Sequence, residues 1–253
     1  VTSRVNTGRR KAYARLMTPR NNRPETPRTG RFAKATNGPA GDPPTRRAAA
    51  AAGGRLQVRI IGGEWRGRKL HFPQSAALRP TPDRVRETVF NWLQFELAGA
   101  RCLDLFAGSG ALGIEALSRG AREVVFAERD PASARAIGDM LAQLRCDRGH
   151  VEQVDALAWL ERGPPASQPF DIVFLDPPYG EAWLPVLAEK LERGGWLAPR
   201  AWIYLEDAAA RGEPALPPGW TLHRSKRAGD VGYHLARRGL PAHNNDHQAR
   251  GSE

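Results

Sequence analysis

The stretch Leu103-Asp-Leu-Phe-Ala-Gly-Ser-Gly-Ala-Leu-Gly113 decides the fold of this chain. It begins as an apolar strand and continues as a helix. Its glycines, Gly108, Gly110 and Gly113, have the G-x-G-x-x-G spacing that joins a strand to a helix beside a bound nucleotide. Glycine permits the tight turn and lets the backbone approach a ligand closely. The stretch therefore predicts the first β-α unit of a nucleoside-binding domain.

Strand and helix patterns alternate on the C-terminal side of this stretch. Apolar runs predict strands at 102–106, 123–127, 150–154, 171–175 and 201–205. Helical patterns lie between them at 111–119, 131–145, 156–162 and 182–193. Most of these strands are continuously apolar, as parallel strands buried on both faces are. Two further runs, 221–226 and 231–237, flank a turn and predict a hairpin.

This alternation predicts an α/β fold with a doubly wound, Rossmann-like and mostly parallel sheet. The hairpin is expected to close the sheet with antiparallel strands. On the N-terminal side, residues 55–72 predict a small β-ribbon that turns at Gly62-Gly63. A helix is expected over 82–97, with Thr81 as its N-cap and Pro82 as its first residue.

Positive charge is concentrated at the N-terminus. The net charge is +11, and residues 1–54 hold twelve Lys and Arg against two acidic residues. This segment has few large apolar residues, so we expect it to be a disordered basic tail. The tail is either a cationic arm that raises affinity for nucleic acid or a dispensable extension, and the sequence leaves both interpretations open. We expect a domain at 55–240, divided into an extension at 55–98 and a core at 99–240, and a disordered tail at 241–253.

Several classes of protein are disfavoured by composition. Two cysteines, Cys102 and Cys146, do not make a disulfide framework or a cysteine zinc cluster. No apolar run is long enough for a membrane span, and the N-terminus lacks the apolar stretch of a signal peptide. The six histidines have no ligand spacing, so no metal is expected. We expect a cytoplasmic protein, and a monomer.

Acidic residues follow the predicted strands at the edge where a ligand is expected. Glu128 ends the second strand, 20 residues after Gly108, where a carboxylate can accept hydrogen bonds from ribose hydroxyls. Asp104 needs a partner if buried, and a cationic cofactor group supplies one. Asp155 can accept from an adenine amino group or cap the following helix. These positions fit either NAD or S-adenosylmethionine.

A second motif, Asp176-Pro177-Pro178-Tyr179, follows the fourth strand. The prolines stiffen the strand exit and donate no backbone hydrogen bonds, so this loop offers the Asp176 carboxylate and the Pro177 carbonyl as acceptors. Tyr179 offers a flat face on which a base can stack. This combination suits the exocyclic amine of a planar base. Acceptors that hold its hydrogens aim the nitrogen lone pair at an electrophilic methyl group.

These motifs together resemble the class I S-adenosylmethionine-dependent amino-methyltransferases. Two further stretches are similar to the RsmD family: Arg59-Ile-Ile-Gly-Gly-Glu-Trp-Arg-Gly-Arg-Lys-Leu70 and Leu78-Arg-Pro-Thr-Pro-Asp-Arg-Val-Arg-Glu-Thr-Val-Phe-Asn-Trp-Leu93. Enzymes of that family methylate N2 of guanine 966 in bacterial 16S ribosomal RNA. The resemblance covers about residues 57–238, and the basic tail lies outside it.

The resemblance implies three groups of site residues, with S-adenosylmethionine as cofactor and 16S ribosomal RNA of the assembling small subunit as partner. The cofactor-binding group is Asp104, Phe106, Gly108, Ser109, Gly110, Glu128 and Asp155. The catalytic group is Asp176, Pro177, Pro178 and Tyr179. Basic residues near the active edge form an RNA-binding group: Arg59, Arg66, Arg68, Lys69, Arg79, Arg84 and Arg86.

Two alternatives remain open from the sequence. The Asp-Pro-Pro-Tyr motif also permits methylation of another amine, chiefly adenine N6 in DNA. The fold alone also permits a non-catalytic RNA-binding protein or an NAD-binding protein.

Overall fold

The computed structural model describes residues 55–73, 81–164, 168–178 and 182–239. The strands are β1 Arg55–Arg59, β2 Lys69–Pro73, β3 Arg101–Asp104, β4 Glu123–Glu128, β5 Gly149–Gln153, β6 Phe170–Leu175, β7 Leu197–Ala208, β8 Trp220–Ala228 and β9 Val231–Arg238. The helices are α1 Asp83–Trp92, α2 Ala111–Ser118, α3 Pro131–Leu144, α4 Ala156–Leu160 and α5 Trp183–Arg193, with a 3₁₀ helix at Ala209–Arg211. The predicted tails, 1–54 and 241–253, lie outside the described residues.

Seven strands form the main sheet in the order β5-β4-β3-β6-β7-β9-β8. The strands from β5 to β7 run parallel, and β9 pairs antiparallel with both β7 and β8. The order reverses between β3 and β6, the point at which doubly wound sheets bind ligands. The separate ribbon of β1 and β2 is antiparallel. The predicted α/β fold, with its N-terminal ribbon and C-terminal hairpin, is confirmed.

Both faces of the main sheet are covered. Side chains of α1, α2 and α3 pack on one face, in a cluster that includes Val89, Ile114 and Ile137. Side chains of α4 and α5 pack on the other, where Trp159 and Leu187 are buried. The central strands β3, β4 and β6 therefore lie between two apolar layers, which explains their mostly apolar sequences. Of the helices described here, none has the length and apolarity to cross a membrane.

The turn that follows β1 is inserted against the C-terminal end of α2. Gly63 has a φ of +76°, and a Cβ atom there would lie 1.8 Å from the carbonyl oxygen of Ser118. The Ser118 hydroxyl donates to the Gly62 carbonyl and accepts from the Trp65 amide. Trp65 is buried, so it packs in the core rather than projecting to solvent. The glycine turn is thus a docking element of the N-terminal extension.

A buried carboxylate completes this attachment. Glu115, on α2, is fully buried and accepts from the backbone amides of Ile61 and Gly62, each at 2.8 Å. The Arg119 guanidinium donates to the same carboxylate at 2.7 Å. Arg86 of α1 lies 3.7 Å from it. One carboxylate therefore joins the ribbon, α1 and α2.

The structure corrects the assignment of Arg86 to the RNA-binding group. Its side chain is only 1% exposed, and it donates to the Arg59 carbonyl and to the Asp83 carboxylate. Buried between these acceptors and Glu115, the guanidinium is not available to a phosphate. Its charge instead stabilises the packing of the extension on the core.

The start and the end of the predicted helix 82–97 are also corrected. The helix α1 ends at Trp92, because the chain turns over residues 93–96, while Leu93 and Leu97 remain buried at the spacing that suggested more helix. The N-cap is Pro82, and none of the side chains that the structure describes caps the helix. The Thr81 hydroxyl donates instead to Asp176 at 3.2 Å. Thr81, a residue type that often caps helices, therefore contacts a residue 95 positions away in the sequence.

Substitution of Glu115 tests whether this carboxylate holds the extension. We expect Glu115→Ala to lower the free energy of unfolding by about 3–5 kcal/mol, because it removes the acceptor of two part-buried amides and the carboxylate beside the buried Arg86 guanidinium. Glu189→Ala is the matched control, since Glu189 forms only an exposed pair with Arg193 on α5 and should contribute less than about 1 kcal/mol. Urea unfolding of both variants measures the difference, and equal effects would contradict this role.

Candidate active site

A cavity of about 550 Å³ opens at the carboxyl ends of the parallel strands. Six of the seven predicted cofactor-binding residues line it: Asp104, Phe106, Gly108, Ser109, Glu128 and Asp155. Asp176, Pro177 and Pro178 of the predicted catalytic group line the same cavity. Two motifs that lie far apart in the sequence therefore face one space.

The loop between β3 and α2 forms one wall of this cavity. A Cβ atom at Gly113 would lie 2.2 Å from the Phe126 ring, so only glycine lets α2 pack this closely on β4. The Gly113 amide donates to the Asp104 carboxylate at 3.0 Å. The glycine spacing thus serves helix packing as well as access of a ligand to the backbone.

Asp104 is almost completely buried beneath the loop. Burial raises its pKa from 3.8 to about 7, against the hydrogen bond from Gly113, and the nearby charge of Glu128 adds to the increase. A carboxylate with one backbone donor in such a place is stabilised by a cation. The cavity therefore has a position suited to a positively charged ligand group.

Glu128 is held in place at the end of β4. Its two carboxylate oxygens accept from the amides of Gly108 and Asp130, each at 2.7 Å. Each oxygen keeps acceptor capacity for a hydroxyl. The Asp155 carboxylate accepts from the Ala158 amide at 3.1 Å, so it caps α4 while facing the cavity. The carboxylates of Glu128 and Asp155 thus lie along the wall where a ribose and a base are expected.

Asp176 follows β6 on the other side of the cavity. The Thr81 hydroxyl, from the N-terminal extension, donates to its carboxylate at 3.2 Å. Pro177 is buried and Pro178 exposed, so the turn is anchored at its first proline. Tyr179 and Arg79 lie outside the described residues.

Two other carboxylates surround Asp176 and change its acidity. Burial raises its pKa well above 3.8, the charges of Glu206 and Asp104 raise it further, and the Thr81 hydrogen bond lowers it. Glu206 is buried on β7 and accepts from the Tyr204 hydroxyl at 2.5 Å. In its ionised form Asp176 therefore favours a neighbouring group that gains positive charge.

The other members of the predicted RNA-binding group lie on the surface of the extension. Arg59, Arg66, Arg68, Lys69 and Arg84 are exposed. They are not among the residues that line the cavity, so any contact they make lies outside it. Their assignment to RNA stays a prediction.

Sequence reasoning missed Thr81, Trp183 and Glu206, among other residues in or beside the cavity. Thr81 has the appearance of a helix cap, and its contact with Asp176 depends on tertiary packing. Trp183, at the start of α5, lines the cavity. Glu206 had a usable signal, since an acid directly follows the apolar run at 201–205 that predicts a strand.

The strand order and this cavity define a Rossmann-like domain of the methyltransferase type. A family model described as "Conserved hypothetical protein 95" matches residues 58–237. The chain belongs to this family, and the resemblance to the RsmD family is confirmed.

Individual relatives agree with the family match. The chain is 48% identical over 185 residues to "Ribosomal RNA small subunit methyltransferase D" of Escherichia coli, covering 73% of this chain and 92% of that protein. The protein of the same name from Haemophilus influenzae is 44% identical over 71% of this chain and 93% of its own length. The solved structure of "Putative methyltransferase yhhF" from Escherichia coli has a TM-score of 0.67 and 45% identity, covering 74% of this chain and all of that one.

The raised pKa of Asp104 makes a prediction about stability. Because the folded state holds this proton up to about pH 7 and the unfolded state loses it near pH 4, the stability contribution of Asp104 falls as the pH rises between these values. Asp104→Asn keeps the shape without the charge. As the pH rises from 4 to 7, we expect the free energy of unfolding of the variant to increase by roughly 2–4 kcal/mol relative to that of the wild type.

Urea unfolding of both proteins across this pH range measures the gain. If the difference in free energy of unfolding between wild type and Asp104→Asn does not change with pH, the raised pKa of Asp104 is contradicted. Asp139→Asn, which replaces an exposed carboxylate on α3, is the control. Its free energy of unfolding relative to the wild type should change little over the same pH range.

Proposed function

We propose that this chain transfers a methyl group from S-adenosylmethionine to the exocyclic N2 of a guanine, nucleotide 966, in 16S ribosomal RNA of the small subunit. The observation that carries the proposal is that the Asp176-Pro177-Pro178 turn opens into the same cavity as Glu128 and Asp104. The names of the curated relatives support a small-subunit ribosomal RNA as the substrate. The particular nucleotide and nitrogen come from the RsmD resemblance.

The residues of the cavity fit this cofactor. The Glu128 carboxylate faces the cavity with acceptor capacity for ribose hydroxyls, and Asp155 lies on the same wall for the adenine amine. Asp104 is a buried carboxylate that a ligand ammonium group stabilises. When bound, S-adenosylmethionine supplies an electrophilic methyl group on a sulfonium.

The chain's own residues orient the target amine. The Asp176 carboxylate and the Pro177 carbonyl accept its hydrogens, which directs the nitrogen lone pair into the cavity. As the nitrogen bonds to the methyl carbon it gains positive charge, and the Asp176 carboxylate stabilises that charge. The carbon–sulfur bond would break in the same step, leaving S-adenosylhomocysteine, and the nitrogen would then release one proton to Asp176 or to water. Thr81 holds one carboxylate oxygen so that the group keeps its direction. Tyr179 belongs to this proposal as the surface on which the guanine stacks.

Methyl transfer to three substrates tests the proposed function. Tritiated S-adenosylmethionine is supplied with small-subunit particles that lack the modification, with deproteinised 16S ribosomal RNA, or with duplex DNA. We expect label in RNA, and digestion with mass spectrometry should place it as N2-methylguanosine at nucleotide 966. Label confined to adenine in DNA would favour the alternative amine. Calorimetric binding of NAD without S-adenosylmethionine binding would favour a protein of another class.

Removal of the Asp176 carboxylate should affect turnover rather than cofactor binding. We expect Asp176→Ala to lower kcat by about 10²–10³, because one preorganised charge at the reacting atom is lost. The affinity for S-adenosylhomocysteine, measured by calorimetry, should change little. Asp139→Ala, an exposed carboxylate on α3, is the matched control. Wild-type turnover in Asp176→Ala would refute the mechanism.

Loss of the Thr81 hydroxyl should alter both rate and pH dependence. Thr81→Val keeps the shape but removes the donor, and we expect kcat to fall about tenfold or more. Because that donor lowers the pKa of Asp176, its loss should move the pH–rate profile to higher pH. Thr81→Ser should restore both readouts. A serine variant that behaves like valine, or an unmoved profile, would contradict the positioning role.

A further inference from the structure

The edge strand β8 carries a run of exposed cations. Its sequence, Trp-Thr-Leu-His-Arg-Ser-Lys-Arg-Ala, holds Arg224, Lys226 and Arg227 and no acidic residue. All three side chains are exposed. The opposite edge of the sheet, β5, has the sequence Gly-His-Val-Glu-Gln, with no Lys or Arg. The two edges of one sheet therefore differ in charge.

Other groups in the described part of the chain do not neutralise these cations. Arg224, Lys226 and Arg227 form none of the ion pairs found among the described residues. Arg224 donates only to the carbonyl of its neighbour His223, and Arg227 to the Gly229 carbonyl. Their charges are therefore available to an external anion.

The register of the sheet aligns these cations with the active site. Asp176 directly follows Leu175, which pairs with Leu205 on β7. The next residue of β7, Glu206, pairs with Tyr233 on β9, and Tyr233 pairs with Lys226 on β8. Lys226 therefore lies in the same row as Asp176, three strands away. At the usual strand spacing this separation is about 14 Å, a distance that a few nucleotides span.

An aromatic pair lies beside this row. The Trp92 and Tyr233 rings stack with centroids 5.5 Å apart, and the Lys226 ammonium lies 5.9 Å from the Trp92 ring. Trp92 is partly exposed at the end of α1. The pair connects β8 to the C-terminal end of α1, the helix whose N-terminal end lies beside Thr81.

We propose that Arg224, Lys226 and Arg227 of β8 form a second RNA-contacting surface, which binds backbone phosphates of nucleotides flanking the target. The inference rests on the proposed function, because it concerns how that same RNA is held. Exposed cations without competing partners bind the phosphates of a nucleic acid, and the counterions that had been associated with those phosphates are released. Such contacts orient the RNA without reading its sequence. The β8 edge would therefore fix the position of the RNA on the protein, while the cavity selects the base.

A triple variant, Arg224→Ala/Lys226→Ala/Arg227→Ala, tests the surface. The control is Arg162→Ala/Arg193→Ala/Arg200→Ala, which removes the same charge from exposed positions at the amino-end side of the sheet. Binding to deproteinised 16S ribosomal RNA is measured across a salt series. We expect the β8 variant to raise Kd about tenfold or more near 0.1 M salt, and to lower the slope of log Kd against log salt by about 2. The control should change neither quantity comparably.

The readouts separate failure of this inference from failure of the proposed function. If the wild type methylates RNA but the β8 variant binds it like the control, the surface is refuted and the function stands. If the wild type binds RNA through β8 without methylating it, the function is refuted and the surface stands. Melting temperature and S-adenosylhomocysteine affinity should match the wild type. If the triple variant is destabilised, Arg224→Gln/Lys226→Gln replaces it, because this double variant keeps the hydrogen bond from Arg227 to the Gly229 carbonyl. Its affinity for RNA is then compared with that of the wild type.

An edge strand also offers its backbone to another strand, so a second copy of this chain is the competing occupant. Sedimentation of the wild type and of the β8 variant distinguishes the two. A wild-type dimer that the variant disrupts, with RNA affinity unchanged, would overturn the proposal. We expect no change in association state between the two proteins.

Discussion

Three carboxylates are concentrated at the carboxyl edge of one sheet, and the site depends on this crowding. Asp104 and Glu206 are buried, and their charges, after burial itself, raise the pKa of Asp176. Asp104 and Glu206 are only 2% and 3% exposed, so water stabilises their ionised forms little and a positively charged neighbour adds stabilisation. A cationic cofactor and an amine that gains charge supply it in the proposed reaction. The cost of burying these acids in the free protein therefore becomes stabilisation when the reactants are bound.

The N-terminal extension is part of this arrangement rather than an appendage. Glu115 joins its glycine turn to α2, and Arg86 is buried against the same carboxylate. Once the extension is docked, Thr81 reaches Asp176. The segment expected to contact RNA thus also contributes a hydrogen bond to Asp176, the carboxylate that is proposed to orient the amine.

The sequence was sufficient for the elements whose signals are local. The glycine spacing after β3, the apolar strands and the acid at Glu128 depend on neighbours along the chain, and such local signals predicted the fold and nine of the residues that line the cavity. Thr81, Arg86 and Glu206 could not be assigned in the same way, because their partners are distant in sequence. A Thr-Pro pair has the same appearance whether it caps a helix or contacts Asp176. An arginine on an amphipathic helix likewise gives no sign that a buried glutamate lies opposite it.

In the proposed function, the Asp176-Pro177 turn holds the amine of a guanine beside the cofactor. A structure of this chain with S-adenosylhomocysteine and a short guanosine-containing RNA tests it most directly. We expect guanine N2 within hydrogen-bond distance of the Asp176 carboxylate and the Pro177 carbonyl, with the cofactor ribose on Glu128. A guanine bound elsewhere, or a turn closed over by side chains with no space for a purine, would contradict it.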